Sequence, residues 1–260
     1  NVARNIAALG GKPSLLTVVG SDSAGERLKA LLESSGIRPL LHLDPRLETT
    51  VKLRVVARQQ QMLRCDFESH PHEEVLLAHL GSYEKELPDH SAVLLSDYGK
   101  GGLTHILRMI GLARAAGKPI LIDPKGSDYS RYRGATLITP NRAELSQVIG
   151  SWHSESELQE KAQALRESLE LEAILLTRSE EGMTLFTASG SFSVPAQARE
   201  VYDVSGAGDT VIAVMATLIA SGLPLSKCVP IANRAGGIVV GKLGTATVSF
   251  DELFPDGRIA

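Results

Sequence analysis

The chain has 260 residues, 43% of them hydrophobic, and its 27 lysines and arginines against 30 acids leave a formal charge of −3. That length and apolar content suffice for one large core, and the near-balance of charge excludes a general electrostatic attraction to nucleic acid or to an anionic bilayer. No apolar run reaches the ~18 residues that span a bilayer, and no charged leader precedes a signal-like core, so the expectation is a cytoplasmic protein with small-molecule partners. Cys65 and Cys228 stand far apart without CxxC spacing. They read as ordinary thiols in a reducing compartment, with no zinc site.

In chain order, "NVARNIAALGG" reads as a helix already in progress, which predicts that the leading strand of its unit is missing before Asn1. From Ser14 onward, Val-, Ile- and Leu-rich runs alternate with longer amphipathic segments, as βα units around a buried parallel sheet require. "SLLTVVG" precedes a helix from about Ser23 to Ser34. Thr49 to Phe67 interleaves charged and apolar residues around a polar turn and predicts a half-exposed two-stranded ribbon. "AVLLSD" then precedes the helical "LTHILRMIGLARAAG"; "KPILIDP" and "TLITPN" follow; "EAILLTR" comes after a polar helix beginning near Ser154. Gly117 and Gly150 fit helix exits. Gly182 to Pro195 predicts a second hairpin turning at Ser189-Gly190, and Gly206 to Ser221 and Pro224 to Lys242 predict two long apolar helices. The whole, residues 1–260, reads as a single α/β domain.

The stretch "YDVSGAGDTV" holds the chemistry. Gly206 and Gly208 remove the Cβ atoms that would keep a ligand from the backbone, and the helix that follows presents unsatisfied N–H groups with partial positive charge, an anion pocket. Asp209 repels an anion there unless it performs a task, and accepting the proton of a hydroxyl that attacks phosphorus is such a task. The competing reading, at even odds on this stretch alone, is a tight turn whose acid complements the helix dipole. Two other strings mislead. "GAGDTV" has Val211 where a dinucleotide fingerprint needs its third glycine, and "GGIVVGKL" has Leu243 where a P-loop needs the Ser or Thr that holds magnesium.

"DVSGAGDT" resembles the C-terminal signature of the ribokinase-like (PfkB) sugar kinases, and "NVARNIAALGG" the back half of their N-terminal motif. In order along nearly the whole chain, "VKLRVVARQQQMLRCDFE", "LSDYGKG", "LIDPKGSDYSRYRGATLITPN", "LLTRSEEGM" and "VVGKLGTATVS" resemble the bacterial heptose-7-phosphate kinases among them. The resemblance implies a three-layer sandwich with a central, mostly parallel sheet and a small β lid, here residues 49–67, that often doubles as a homodimer clasp. It implies transfer of the ATP γ-phosphate to the anomeric hydroxyl of heptose 7-phosphate. Asp209 then matches the catalytic base, and Ser205, Gly206, Ala207 and Gly208 the anion hole. Alternatives are a PfkB kinase of another sugar or sugar phosphate, or a catalytically silent sugar-phosphate-binding regulator.

By the same resemblance, Asn141 and Glu144 in "TPNRAE" match a motif that organises Mg2+ and phosphate, often through water; a helix-capping pair is the alternative. Asp97 and Asp123 lie just past apolar strands, where a carboxylate can hold sugar hydroxyls, and Lys125 and Lys100 lie where an ammonium can neutralise phosphate, although a solvated loop is the default for Lys100. Asn1 is expected on sugar hydroxyls. Arg4, Arg54 and Arg64 are candidates for a distal phosphate, with Asn5 and Asp66 as secondary candidates. Thr177, Gly182 and Asn233 match the ATP groove, while Ser179 departs from the usual glycine and leaves the nucleotide contacts of that turn in doubt. Asp203 and Ser205 match a monovalent-cation site, such as one for K+, in some relatives, or else stabilise a turn. His70 and His72 read as exposed, not metal-binding.

Overall fold

The computed structural model of the chain describes residues 1–57, 60–197, 201–255 and 257. Helix α1 (Val2–Ala8) is followed by β1 (Ser14–Gly20), α2 (Ser23–Ser34), β2 (Arg38–Asp44), and then two strands in succession, β3 (Val51–Ala57) and β4 (Gln60–Phe67). Next come α3 (Glu73–Glu86), β5 (Val93–Ser96), α4 (Ile106–Ala115), β6 (Ile120–Asp123), β7 (Leu137–Ile138), α5 (Arg142–Ile149) and α6 (Glu155–Ser168). Strands β8 (Ala173–Thr177), β9 (Met183–Thr187) and β10 (Gly190–Val194) precede α7 (Ala207–Ala220), α8 (Leu225–Val240) and the short α9 (Phe250–Leu253).

Successive residues of a strand point to opposite faces, so strands that are apolar throughout need cover on both. Ile120, Ile122, Ile138, Ile174 and Leu176 pack with Leu80 of α3, Ile106 of α4, Leu145 of α5 and Leu158 of α6. Their neighbours Leu121, Leu137, Ala173 and Leu175 pack with Ile212 and Met215 of α7 and Ala232 of α8. Burying each Leu or Ile contributes about 1.5–3 kcal/mol, so these strands are held by their own composition. The result is the expected three-layer α/β sandwich, with a six-stranded sheet ordered β10-β9-β8-β7-β6-β5. Strands β5 to β8 are parallel, and β9 and β10 run antiparallel at one edge.

Three expectations need adjustment. Strands β1 and β2 pair in parallel as a sheet of their own rather than widening the central one, because no described strand joins β1 to β5. They are tied to the main body through α3, with Leu16 against its core and His90 Nε2 2.9 Å from Ser14 Oγ. The second hairpin pairs Thr187 with Gly190, so its turn is Ala188-Ser189, one residue earlier than expected. Helix α4 starts only at Ile106, after the glycine-rich segment at 99–102. No helix among the described residues is long and apolar enough to cross a membrane.

The ribbon is present as β3 and β4, antiparallel with Val51 opposite Phe67 and Arg54 opposite Arg64; its polar turn at 58–59 lies outside the described residues. Period-two alternation puts Val51, Leu53, Val55, Leu63, Cys65 and Phe67 on one face and Lys52, Arg54, Arg64 and Asp66 on the other. Its roots are anchored to the β1–β2 unit. Thr49 N donates to Asp22 Oδ2 at 2.8 Å, and Ser69 Oγ both accepts from Glu48 N and donates to Glu48 O, at 3.2 and 3.1 Å. Fully buried Asp44 accepts from His72 N (3.0 Å), His72 Nδ1 (2.7 Å) and Arg46 N (3.0 Å).

The His72 backbone N–H is the main cause that holds the Asp44 carboxyl down to about 2. A depressed carboxylate contributes stability above its unfolded value, about 3.9, and loses it as pH falls through the folded value. Asp44→Asn is therefore expected to melt well below the parent at pH 7, with the gap closing between pH ~4 and ~2. Thermal melts of both proteins across that range check it; a gap independent of pH would show that Asp44 acts by packing alone.

Candidate active site

Helix α7 begins without a side-chain cap; Ala207 N donates to Val204 O at 3.2 Å, while the N–H groups of Gly208 and Asp209 and the partial positive charge of the helix face outward. Gly206 is its N-cap in the left-handed region (φ 79°), and a Cβ there would lie 2.4 Å from Asn1 Nδ2. That close approach is used: Asn1 Nδ2 donates to Asp209 Oδ2 at 3.0 Å and to Gly206 O at 3.4 Å. Buried Asn5 secures the arrangement, its Nδ2 donating to Asn1 O at 3.3 Å and its Oδ1 accepting from Val248 N at 3.2 Å. A Cβ on Gly208 would meet no atom within 4 Å, so the backbone there opens onto free space. Asn1, Ala207, Gly206, Gly208 and Asp209 thus form one wall, with Ser205 exposed beside it.

The opposite wall is the C-terminal edge of the parallel strands, where open α/β sheets bind ligands. Asp97, 5% exposed, follows β5; its Oδ1 accepts from Gly99 N at 2.8 Å, its Oδ2 from the Tyr132 hydroxyl at 2.8 Å, and Arg131 Nη1 lies 3.5 Å from Oδ2. The Tyr132 hydroxyl also accepts from Lys125 N at 2.9 Å and so ties the ends of β5 and β6. Tyr132 and Arg131 lie within the string "LIDPKGSDYSRYRGATLITPN", but no spacing in it marks them out as partners of Asp97. Asp123 ends β6, and burial, followed by the negative charge of Asp209 and Glu144, pushes its carboxyl up to about 7. Burial and the same Asp209 and Asp123 charges push the Tyr98 phenol up to about 12. The carboxylates at 97, 123 and 209 therefore share one electrostatic neighbourhood.

Asn141 and Glu144 form a complete capping box at the start of α5: Asn141 Oδ1 accepts from Glu144 N and Glu144 Oε2 from Asn141 N, both at 3.0 Å. Glu144 Oε1 also accepts from Lys125 Nζ at 3.0 Å. Both oxygens of Glu144 are thus engaged by protein donors, and the described residues hold no group of three or more His, Cys, Asp or Glu able to bind an ion. Thr177 bridges to Asn141 across the strand ends.

The other expected nucleotide positions are structural in the free chain. A Cβ on Gly182 (φ 90°) would lie 2.0 Å from Val194 O, so only glycine fits, and buried Asn233 donates through Nδ2 to Pro195 O at 2.7 Å. Ser179 sits at φ 52°, a region where a side chain is strained, which accounts for the glycine that the resemblance expects there. Asp203 accepts from Ser205 N at 2.9 Å and Gly244 N at 3.1 Å, a turn-stabilising arrangement. Among the arginines, Arg64 makes a two-pronged pair with Asp66 at 2.8 and 2.7 Å, Arg54 lies opposite it, and Arg4 is exposed on α1.

A carboxyl raised to about 7 opposes folding once ionised: the unfolded chain loses its proton near 3.9, the folded chain only near 7, so the stability present below pH ~4 declines up to pH ~7. Asp123→Asn is therefore expected to raise the melting temperature in metal-free buffer at pH 8 and to leave it unchanged at pH 4. Melting curves at the two pH values check this, and equal shifts at both would show that ionisation of the buried Asp123 carboxyl is not what opposes folding.

Comparison with known proteins agrees with this geometry. The pfkB family carbohydrate kinases match residues 1–252. The D-beta-D-heptose 7-phosphate kinase of Bordetella bronchiseptica is 52% identical over 253 residues, covering 97% of this chain and 81% of its own. The bifunctional protein HldE of Shewanella sediminis is 51% identical over 254 residues, covering 97% of this chain and 53% of its own, so the chain spans about half the length of the bifunctional relatives. Among solved structures, phosphofructokinase-2 of Escherichia coli in complex with potassium superposes with a TM-score of 0.81 at 20% identity, over 98% of this chain and 84% of that one. Ribokinase of Giardia lamblia superposes with a TM-score of 0.81 at 17% identity, over 98% and 87%. The chain belongs to the pfkB family of carbohydrate kinases, which use ATP and a divalent metal.

Proposed function

We propose that the chain phosphorylates D-glycero-D-manno-heptose 7-phosphate at its anomeric oxygen, giving the 1,7-bisphosphate. The observation that carries the reading is Asp209 in the first turn of the uncapped helix α7, held by Asn1 at 3.0 Å and facing the edge that carries Asp97 and Asp123. Asn1 and Asp97 orient the sugar hydroxyls. The Asp209 carboxylate takes the proton of the anomeric hydroxyl, a comparatively acidic alcohol, as its oxygen bonds to the γ-phosphorus and the bond from that phosphorus to ADP breaks. The N–H groups at Gly206–Gly208 stabilise the charge on the transferring group. Asn141 and Glu144 would hold a divalent ion, taken to be Mg2+, through its waters, and that ion would neutralise the nucleotide phosphates. Asp203 and Ser205 are the positions for a monovalent ion such as K+. Thr177 and Ser205 are the remaining contacts for ATP.

The named relative acts on a sugar that already bears a phosphate, and the ribbon supports the same choice here. Its polar face holds Lys52, Arg54 and Arg64 against Asp66 and Glu68, three cations to two anions. Its other face exposes Leu53, Leu63 and Phe67 at 50%, 53% and 52%, a contiguous apolar surface suited to a second copy of the chain. We take the protein as a homodimer clasped through this face.

Asp209→Asn is expected to lower kcat by about 10²–10⁴-fold with ATP binding nearly retained. Turnover assays with titration of an ATP analogue test this, and undiminished turnover would remove Asp209 as the base. Heptose 7-phosphate is expected to be turned over in preference to fructose 6-phosphate and ribose; preference for either of the latter would refute the substrate. Leu53→Glu with Phe67→Glu should convert the dimer to monomer in sedimentation equilibrium, and an unchanged mass would place any dimer elsewhere.

A further inference from the structure

The ribbon touches the main body at a second place. Glu68, just past β4, accepts from Lys100 Nζ through Oε2 in a short contact, while Lys52 Nζ of β3 lies 3.6 Å from its Oε1. Lys100 belongs to the segment that follows Asp97. Two residues on, His70 and Pro71 lie against Gly101: a Cβ there would be 3.0 Å from His70 Nδ1 and 3.7 Å from Pro71 Cδ. The Lys100 ammonium is the main cause that holds the Glu68 carboxyl below the usual carboxylate range. One carboxylate thus joins a strand of the ribbon to the loop whose first residue is Asp97.

Beside that joint lies an open cavity of about 490 Å3, lined by His70 of the ribbon root, by Asp97, Gly99, Gly101 and Thr104 of the loop, and by Asp128 and Arg131. One side of the loop is fixed from within the sheet, through the bonds of Asp97 to Gly99 N and the Tyr132 hydroxyl. Beyond Asp97 the loop turns at Gly99 and Gly101, both in the left-handed region at φ 68° and 79°, and Gly101 O accepts from Thr104 Oγ1 at 2.7 Å. On the ribbon side the roots are pinned by Asp44 and Asp22. Glu68 and Lys100 therefore join the pinned ribbon root to the loop, and residues of both line the cavity beside Asp97.

From this we infer that Glu68 and Lys100 are positioning residues: their ion pair holds the 97–104 loop against the ribbon root and so shapes the sugar side of the site. The inference rests on the kinase reading for the identity of the ligand, but the joint itself does not. An exposed ion pair biases a loop rather than locking it, so the effect is several-fold, not all-or-none. Nothing in it requires Lys100 to touch substrate.

The test has two arms, both on the full-length protein. In the first, hydrogen exchange is followed without any ligand: Glu68→Gln and Lys100→Met are each expected to speed exchange of the amides at 99–104, whereas Lys100→Arg, which keeps the charge, leaves them near the parent rate. In the second, with heptose 7-phosphate and ATP, Glu68→Gln and Lys100→Met are each expected to raise the sugar KM about three- to tenfold with kcat and the ATP KM little changed, and the double variant to be no worse than either single. Unaltered loop exchange in both neutralising variants, or KM effects that multiply in the double variant, would overturn the joint. Altered exchange together with no turnover of any sugar phosphate would leave the joint standing and remove the kinase reading instead.

Discussion

The site is governed by the burial of one carboxylate among others that the fold gathers beside it. Parallel strands deliver Asp97 and Asp123 to one edge, and helix α7 carries Asp209 near them. Burial first, and then the charges of Asp209, Glu144 and Asp97, push the Asp123 carboxyl up to about 7. An acidic cleft is a poor place for a phosphate unless cations are supplied with it. They come from several directions: the α7 N-terminus, Lys125 on Glu144, Arg131 beside Asp97, and the divalent ion the family uses. The arrangement is costly when empty and favourable when filled, as a site that binds a metal nucleotide and an anionic sugar has to be.

The second constraint is geometric. A two-stranded ribbon has no core of its own and is marginal in isolation, so its orientation is decided at its roots. There the buried carboxylate of Asp44 gathers two backbone N–H groups and the His72 ring, and Asp22 takes the N–H of Thr49. These bonds are sheltered and insensitive to salt, unlike the exposed pair of Glu68 with Lys100 on the far side. The same element is thus stiff toward β1 and β2 and only lightly held toward the loop after β5. Its position can respond to what fills the cleft without disturbing its own base.

Much of this architecture was legible before any coordinates. The alternation of apolar runs with amphipathic segments gives the layers, because a strand apolar at every position must be covered twice, and Thr49 to Phe67 breaks that rule visibly. The loop "SGAGD" gives the helix start and the acid beside it. Long-range pairings were less accessible. The resemblance put Asn1 on the sugar and made Asp209 the base, but their direct contact had no signal, since nothing local links positions 208 residues apart. Asn141 and Glu144 have the spacing both of a cap and of an ion-organising pair, and only coordinates show the cap complete with Lys125 on the second oxygen. At Gly182 and Asn233, matched to the ATP groove by resemblance, the structure adds a packing role that sequence does not show: the glycine lies against the Val194 carbonyl and the asparagine holds that of Pro195.

The ribbon also bears on which sugar the cleft accepts. Arg54 and Arg64 stand directly opposite each other, a pairing of like charges that weakens a two-stranded ribbon unless an anion lies between or beside them. Asp66 answers Arg64 with two hydrogen bonds, and Lys52 leans on Glu68, which leaves Arg54 with no ion-pair partner among the described residues. In a chain whose formal charge is −3, such a local surplus of cations is the reverse of the average. A neutral sugar offers it nothing. A sugar carrying phosphate at the end remote from the reacting hydroxyl would match it, while that hydroxyl stays with Asp209 on the opposite wall. The ribbon's charge and the cleft's acids thus favour a substrate that is anionic at one end and a hydroxyl at the other.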